Sequence, residues 1–195
     1  MKKSVILITG TPCVGKTTIA QQLAEKLDAL YINLTEYAEK HHLIAGEDEK
    51  RRTRVIDEEK TRIKIGETIK AAKETAIIID GHYAHAVVPK RYVTRIFVLR
   101  RNPIELKRLM EQRGFAGDKL WENLAAEILD VCLVEALQTQ GQEKVCELDV
   151  TGKTAEEATS EILAVLGGRE KCFIGLVDWL GMLEKENLIN EYLKI

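Results

Sequence analysis

The sequence predicts an α/β fold in which five parallel strands form one sheet with helices on both faces. Short apolar runs alternate with longer amphipathic segments, and Ile77-Ile78-Ile79 is typical of a strand buried on both faces. Residues 10–17 form a Gly-rich stretch between the first apolar run and the first helical pattern. Strands that alternate with helices favour a parallel sheet, because each helix packs back onto a face of that sheet.

The individual elements follow from periodicity and from helix-boundary residues. Strands are expected at residues 4–9, 30–33, 75–80, 95–99 and 145–150. Helices are expected from the Gly-rich stretch to residue 27, where Ile19, Leu23 and Leu27 form a stripe, and at residues 35–42, 57–74, 103–112, 120–139 and 154–166. The tail of residues 172–195 is predicted to form one or two amphipathic helices. No linker interrupts the pattern, so residues 1–195 are predicted to form a single domain.

The composition excludes several classes of protein. A net charge of −2 carries no general nucleic-acid signature, and no apolar segment reaches membrane-spanning length. The cysteines Cys13, Cys132, Cys146 and Cys172 have no C-x-x-C spacing, so neither a zinc site nor a disulfide framework is expected. Reduced thiols indicate a cytoplasmic protein, or a nuclear one in a eukaryote.

The Gly-rich stretch reads GTPCVGKT and predicts a phosphate-binding loop. In such a loop the backbone N–H groups and the positive end of the helix dipole face a polyphosphate. Lys16 is then placed to reach the β- and γ-phosphates, and the Thr17 hydroxyl to bind Mg²⁺. The alternative, an ordinary Gly-rich turn, does not account for the strand before the loop and the helix after it.

Asp80 and His82 provide a second candidate pair. Asp80 ends a predicted buried strand, and ligands of parallel sheets bind at the carboxyl ends of the strands. Asp80 is therefore expected to hold the water shell of Mg²⁺, and His82 to orient a water molecule or a phosphate oxygen. The alternatives are a turn or helix-capping role for Asp80 and a turn role for His82.

A basic cluster follows the fourth predicted strand and comprises Arg100, Arg101, Lys107, Arg108, Arg113 and Lys119. It suits either a phosphate clamp or a solvated helix face, and the sequence leaves both open. Arg113 precedes Gly114 and a short polar stretch, which favours a small mobile lid at about residues 112–122.

Taken together, these residues resemble the adenylate kinase isoenzyme 6 family. The matching stretches are residues 10–18, 31–33, 56–58, 80–82, 97–100, 113–115 and 122–128. The Asp-x-His of Asp80 and His82 discriminates this family, because ordinary adenylate kinases lack it. The short lid also fits, because longer-lid adenylate kinases carry an inserted domain at that place.

The resemblance implies transfer of a phosphoryl group from Mg²⁺-ATP to a nucleoside monophosphate, AMP first, with ATP hydrolysis alongside. It implies a link to small ribosomal subunit maturation, with a small-subunit ribosomal protein and a pre-ribosomal particle as partners. Arg113 would reach ATP from the lid, Asp80 and His82 would support Mg²⁺ and the attacking group, and residues 33–54 would bind the monophosphate. The ATP phosphates would be held by Gly10, Cys13, Val14, Gly15, Lys16, Thr17 and Thr18.

The chain departs from the family pattern at three positions. Cys13 stands where the family usually has Gly, and Glu39 and Leu109 stand where it tends to have Arg. A carboxylate does not bind a phosphate, so the substitutes for Glu39 would be Lys40, Arg51, Arg52 or Arg54. The Cys13 thiol lies at a helix N-terminus near Lys16, which predicts a lowered pKa and a redox-sensitive site.

Two other functions remain open. In the first, the protein is an assembly factor whose ATPase switches a protein–RNA complex, and kinase activity is incidental; Glu39 favours this interpretation. In the second, it is a small-metabolite kinase such as a sugar or shikimate kinase. The Asp-x-His and the short lid argue against the second.

Overall fold

The computed structural model describes residues 3–48 and 53–194. The strands are β1 (Ser4–Thr9), β2 (Leu30–Asn33), β3 (Ile44–Asp48), β4 (Thr53–Ile56), β5 (Ala76–Asp80), β6 (Val93–Arg100) and β7 (Val145–Asp149). The helices are α1 (Lys16–Leu27), α2 (Leu34–Lys40), α3 (Glu58–Ala71), α4 (Ala84–Val87), α5 (Pro103–Gln112), α6 (Gly117–Ile128), α7 (Val131–Gln140), α8 (Ala155–Leu166), α9 (Trp179–Lys185) and α10 (Ile189–Tyr192). A 3₁₀ turn covers Gln142–Lys144.

The predicted five-stranded parallel sheet is confirmed, with strand order β2-β5-β1-β6-β7. The central strands β1 and β5 alternate their side chains between two apolar clusters, one on each face of the sheet. Leu7 and Ile79 belong to one cluster, and Ile8 and Ile78 to the other. Because both faces are covered, these strands read in the sequence as continuous apolar runs rather than alternating ones.

The predicted helix over residues 120–139 is wrong in one respect, because it is two helices, α6 and α7. The helix is interrupted at Leu129 and Asp130, and Asp130 adopts a left-handed conformation with φ 58°. The Asp130 carboxylate forms an ion pair with the buried guanidinium of Arg100 on β6. This long-range contact accompanies the break, and helical periodicity carries no sign of it.

The expectation of reduced thiols is wrong for two of the four cysteines. Cys146 on β7 and Cys172 in the tail form a disulfide across 26 residues of sequence, which ties the start of the tail to the sheet. Cys13 and Cys132 are free thiols. The pair escaped prediction because their spacing matches no motif and only the fold brings them together.

The tail forms two short helices, as predicted. Leu183 of α9 and Tyr192 of α10 pack with Ile128 of α6 in a third apolar cluster. The tail therefore packs on the α6 side of the molecule. Within residues 3–48 and 53–194, no helix combines the length and apolar character that a membrane span needs.

Candidate active site

The loop after β1 has the backbone conformation of a phosphate-binding loop. Gly10, Cys13 and Gly15 all have positive φ, at 136°, 70° and 107°. Gly10 is needed for a second reason, since a Cβ at this position would lie 2.5 Å from the Leu99 carbonyl oxygen. Cys13 holds a left-handed conformation that disfavours any side chain, which explains why Gly suits this position in the family that the chain resembles.

Arg101 supports the loop from below. Its guanidinium Nη2 donates a hydrogen bond to the Val14 carbonyl oxygen at 3.2 Å, and it forms an ion pair with Glu105 on α5. The Val14 side chain is buried beneath the loop, while Thr18 is exposed on the first turn of α1. Arg101 is itself buried, so it acts on the backbone of the loop rather than on a ligand above it.

The basic cluster of the sequence divides between several tasks. Arg100 is buried in ion pairs with Glu127, Asp130 and Glu147. The ammonium of Lys107 lies over the rings of Trp121 and Tyr192, and that of Lys119 lies over the ring of Phe115. Arg108 is exposed on α5. The structure therefore does not bring these side chains together as one clamp.

Arg113 is a second member of the cluster that lies near the loop, after Arg101. It is exposed at the C-terminal end of α5, and its positive charge acts on the Cys13 thiol. Residues 113–116 form the whole connection from α5 to α6, and the mobile lid expected at about residues 112–122 stays a prediction. The Arg113 side chain thus lies beside the phosphate-binding loop.

Burial dominates the acid–base state of Cys13. Although Arg113 and Lys16 act in the opposite direction, desolvation raises the pKa of the Cys13 thiol above its ordinary value. The prediction of a lowered pKa is therefore wrong. It failed because the helix terminus and the nearby cations are readable from sequence, whereas the burial of the sulfur is not.

Lys16 folds back over its own loop. Its Nζ donates hydrogen bonds to the carbonyl oxygens of Gly10 and Thr11, both at 2.9 Å. Desolvation lowers the pKa of this ammonium, with opposing contributions from Cys132 and Asp80 among others. The side chain is partly buried, not fully solvated. Phosphate oxygens placed in the loop would replace the two carbonyls as acceptors.

Asp80 lies at the carboxyl end of β5, where the parallel register sets it beside Ile8 of β1 and Asn33 of β2. Its Oδ2 accepts a hydrogen bond from the Thr17 hydroxyl at 2.8 Å, and its Oδ1 accepts one from the Tyr31 hydroxyl at 3.0 Å. The carboxylate is almost fully buried, and desolvation raises its pKa despite these two hydrogen bonds.

The oxygen atoms of Asp80 and of the hydroxyl next to it are suitable ligands for a magnesium ion. Carboxylate and hydroxyl oxygens are hard ligands, and Mg²⁺ usually takes one or two such groups together with phosphate oxygens and water. Among residues 3–48 and 53–194 no cluster of three His, Cys, Asp or Glu side chains would hold a metal alone. Thr17 and Asp80 are thus placed to share Mg²⁺ with a bound nucleotide.

Tyr31 was missed by sequence reasoning. A partial signal exists, since Tyr31 precedes Asn33 by two residues on β2 and so points to the same side of the strand. Burial raises the pKa of the Tyr31 hydroxyl above its ordinary value, and the nearby charge of Asp80 raises it further. Tyr31 therefore remains a neutral donor to the carboxylate.

His82 lies two residues beyond Asp80, and its carbonyl oxygen accepts a hydrogen bond from the Thr9 hydroxyl at 2.9 Å. The ring keeps an exposed surface and meets Tyr83 edge to face. Displacement of water by the surrounding protein, followed by the charge of Lys16, lowers the pKa of His82 to about 4. The imidazole is therefore neutral at neutral pH and has a lone pair for a water proton.

The predicted monophosphate region of residues 33–54 contains α2 and the β3–β4 hairpin. Asn33 caps α2 by accepting hydrogen bonds from the backbone N–H groups of Thr35 and Glu36. A cavity of about 330 Å³ opens here, lined by Tyr37 and Lys40 among others. Arg51 and Arg52 lie outside the described residues.

Glu127 is a further residue that sequence reasoning missed as part of the site. It is almost fully buried on α6, and its Oε2 accepts a hydrogen bond from the Thr11 hydroxyl of the phosphate-binding loop at 2.6 Å. A glutamate within an amphipathic helix reads as a solvated residue, so only the fold reveals this contact.

Comparison with known proteins finds relatives over most of the chain. The family model described as an AAA domain matches residues 6–130. A protein of Pyrococcus furiosus named "Putative adenylate kinase" is 38% identical over 185 residues, which covers 93% of this chain and 94% of the relative. A protein of Methanocaldococcus jannaschii with the same name is 41% identical over 174 residues, which covers 89% of this chain and 92% of the relative.

Solved structures give the same fold at low identity. A shikimate kinase from Bacteroides thetaiotaomicron has a TM-score of 0.55 at 20% identity, covering 84% of this chain and 98% of that one. A thymidylate kinase from Candida albicans has a TM-score of 0.55 at 16% identity, covering 86% and 92%. These two comparisons carry the fold alone. Because the identity to the two relatives named "Putative adenylate kinase" extends over most of the chain, the chain belongs to their family of P-loop proteins.

Proposed function

We propose that the protein transfers the γ-phosphoryl group of Mg²⁺-ATP to a nucleoside monophosphate, with AMP as the first expected acceptor. The observation that carries the proposal is the contact of Thr17 with Asp80 at 2.8 Å, directly after a loop that holds Lys16. Hydroxyl, carboxylate and ammonium then surround the place where phosphates bind to such a loop. The names of the relatives support the same chemistry.

Each residue would contribute positioning or charge. The backbone N–H groups of the loop would orient the phosphates, and Lys16 would turn from the Gly10 and Thr11 carbonyls to the transferred group. Arg113 would approach from the lid and balance charge on the equatorial oxygens. Thr17 and Asp80 would hold Mg²⁺, which neutralises phosphate charge when bound.

The acceptor would bind beside α2. The cavity near Asn33 and Lys40 opens on this side of the sheet, and Asn33 pairs in register with Asp80. Lys40 is exposed there and would bind the acceptor phosphate, since Glu39 has the wrong charge for that task. The expected consequence is a higher KM for AMP than a protein with arginine at position 39 would have.

Hydrolysis of ATP is proposed as the accompanying reaction. His82 is neutral at neutral pH and lies just beyond Asp80, so its ring would orient a water molecule for attack on the γ-phosphate. The resemblance to the isoenzyme 6 family extends this proposal to small ribosomal subunit maturation, with a ribosomal protein and a pre-ribosomal particle as partners. The protein would then work in the cytoplasm, or in the nucleus of a eukaryote.

The decisive experiment is product analysis with Mg²⁺-ATP, alone and with each nucleoside monophosphate, shikimate or a sugar as acceptor. Formation of ADP from both ATP and AMP supports the kinase. Release of inorganic phosphate at the same rate whatever the acceptor would instead favour an ATPase switch, and phosphorylation of a metabolite would favour a small-metabolite kinase. Lys16→Ala is the control, because a contaminating kinase would survive that change.

The ribosomal link has a separate test. The protein is sedimented with small ribosomal subunits from its own organism in the presence of Mg²⁺-ADP, ATP or a non-hydrolysable ATP analogue. Nucleotide-dependent co-sedimentation that Lys16→Ala abolishes supports the link. Sedimentation apart from the subunits in all three nucleotides contradicts it and leaves the kinase proposal untouched.

A further inference from the structure

The Glu127 carboxylate is buried and divides its two oxygens between different parts of the molecule. Oε2 accepts a hydrogen bond from the Thr11 hydroxyl at 2.6 Å. Oε1 accepts from Arg100 Nε at 2.9 Å, from the Arg101 backbone N–H at 3.1 Å and from the Trp179 indole N–H at 3.1 Å. One oxygen thus serves the phosphate-binding loop, and the other serves β6 and the C-terminal tail.

Thr11 continues this path to the candidate catalytic lysine. Its hydroxyl donates to Glu127, and its carbonyl oxygen accepts from Lys16 Nζ at 2.9 Å. Thr11 is itself almost fully buried, so its hydroxyl has little access to water. A change in the orientation of the Glu127 carboxylate would therefore move Thr11, whose carbonyl oxygen accepts the hydrogen bond from Lys16.

The tail reaches the same network at a second point. The backbone N–H of Leu176 donates to Glu147 Oε2 at 2.7 Å, and Glu147 Oε1 accepts from Arg100 Nη1 at 2.6 Å. Arg100 in turn donates to Glu127. Both Leu176 and Trp179 thus join one buried set of charges, and the disulfide at Cys172 fixes the chain just before them.

We propose that Glu127 is a positioning residue for phosphoryl transfer and that the tail, through Trp179, sets its orientation. The proposal rests on the proposed function, since it concerns the same loop. Held by four donors, the carboxylate fixes Thr11 and with it the shape of the loop around Lys16. Because coupling between two sites is reciprocal, a nucleotide bound to the loop also changes the surroundings of Trp179.

The kinetic test uses substitutions that remove one donor each, of which Thr11→Val also keeps the side-chain shape, whereas Trp179→Phe makes the side chain smaller. Thr11→Val removes the hydroxyl, and Trp179→Phe removes the indole N–H. Each is expected to lower kcat/KM for ATP, by on the order of 10-fold for Thr11→Val, since small displacements of positioned groups cost up to about 100-fold. Because both act through one carboxylate, the double variant is expected to be little worse than Thr11→Val alone.

Two controls separate positioning from loss of stability. Thr159→Val removes a buried hydroxyl that donates to the Ala155 carbonyl on α8, away from the loop. Leu180→Ala changes an exposed side chain on the same helix as Trp179. Both controls are expected to keep the kcat/KM of the unaltered protein. Multiplicative losses in the double variant, or an unchanged kcat/KM in Trp179→Phe, would overturn the proposal.

A spectroscopic test needs no turnover and so stands apart from the kinase proposal. The chain has two tryptophans, so Trp121→Phe leaves Trp179 as the only tryptophan whose fluorescence is measured. Addition of a non-hydrolysable Mg²⁺-ATP analogue is expected to shift its emission, and Thr11→Val to remove the shift at saturating analogue. Coupling through Glu127 would be contradicted if Thr11→Val showed an emission shift of equal size. It would also be contradicted if the protein with Thr11 intact showed no shift. If the analogue binds and shifts Trp179 while no acceptor is phosphorylated, the proposed function fails and the coupling stands.

Discussion

Replacement of Asp80 by Asn is expected to stabilise the nucleotide-free protein while it disables the site. The carboxylate is almost fully buried, and desolvation raises its pKa above the ordinary value of 3.8. A raised pKa for an acid means that the folded state disfavours the charge that the group carries at neutral pH. An amide of the same shape removes that charge. The hydroxyls of Thr17 and Tyr31 can reorient, so one donates to the amide oxygen and the other accepts from the amide nitrogen.

The expected gain is about 1 kcal/mol, the usual size for relief of a destabilised functional group. For a chain of 195 residues, this corresponds to a rise of roughly 2–4 °C in Tm. The sign depends on pH. Between the unfolded pKa and the raised folded pKa of Asp80, the folded state binds the proton and the unfolded state does not, so stability falls as pH rises. The advantage of Asn is therefore absent below the ordinary pKa of 3.8 and complete only above the raised pKa of the folded state.

The assay is thermal unfolding of both proteins at pH 7, with and without a non-hydrolysable Mg²⁺-ATP analogue. A ligand at 100 times its Kd stabilises the folded state by about 2.7 kcal/mol, and Asp80→Asn should lose much of this effect. The order of the two Tm values is then expected to reverse when the analogue is added. Asp57→Asn is the matched control, because hydrogen bonds from Lys60 lower the pKa of Asp57 and the same change should not stabilise. A folded Asp80→Asn protein that melts below the unaltered one without nucleotide would refute the reasoning.

Three further outcomes follow from the same geometry. Lys16→Ala should lower phosphoryl transfer by on the order of 100-fold or more while circular dichroism shows an intact fold, and normal turnover would refute the assignment of the loop. His82→Ala should reduce the hydrolysis rate per bound ATP more than ATP affinity, measured separately by single turnover and titration; a collapse of affinity alone would make His82 a binding or structural residue. Cys13 should alkylate more slowly at pH 7 than a free thiol of ordinary pKa, since its pKa is raised, and rapid labelling in the nucleotide-free protein would contradict this.

The parts of the fold that sequence predicted well are those set by local patterns. The five strands of the sheet follow from apolar runs, and the loop over residues 10–17 follows from residue types that few other structures need together. The hairpin of β3 and β4 escaped prediction because it lies in a dense charge run with no alternation of apolar residues. Its strands pair with each other and not with the main sheet.

The candidate site divides in the same way. Lys16, Thr17 and Asp80 could be placed together from sequence because all three lie at strand or helix ends that the parallel topology brings to one edge. The contacts of Tyr31 with Asp80 and of Glu127 with Thr11 could not be predicted, because neither Tyr31 nor Glu127 belongs to a motif that marks it as a partner of the loop or of Asp80. Burial decides the direction in which the pKa of Cys13 shifts, and burial is a property of the whole fold.

Buried charges lie at the carboxyl ends of β5 and β6 and in ion pairs with Arg100 there, and their placement has an energetic consequence. Asp80, Arg100, Glu127 and Glu147 are each almost fully buried, whereas the side chains in the middle of β1 and β5 are apolar. Replacement of buried ion pairs by apolar residues is often neutral or stabilising, so stability alone gives little reason to place charges here. The loop adds a strained Cys13 to the same edge. We therefore expect this edge to be the least stable part of the sheet without nucleotide and the part that ligand binding stabilises most, which hydrogen exchange of β5 and β6 with and without the Mg²⁺-ATP analogue would measure.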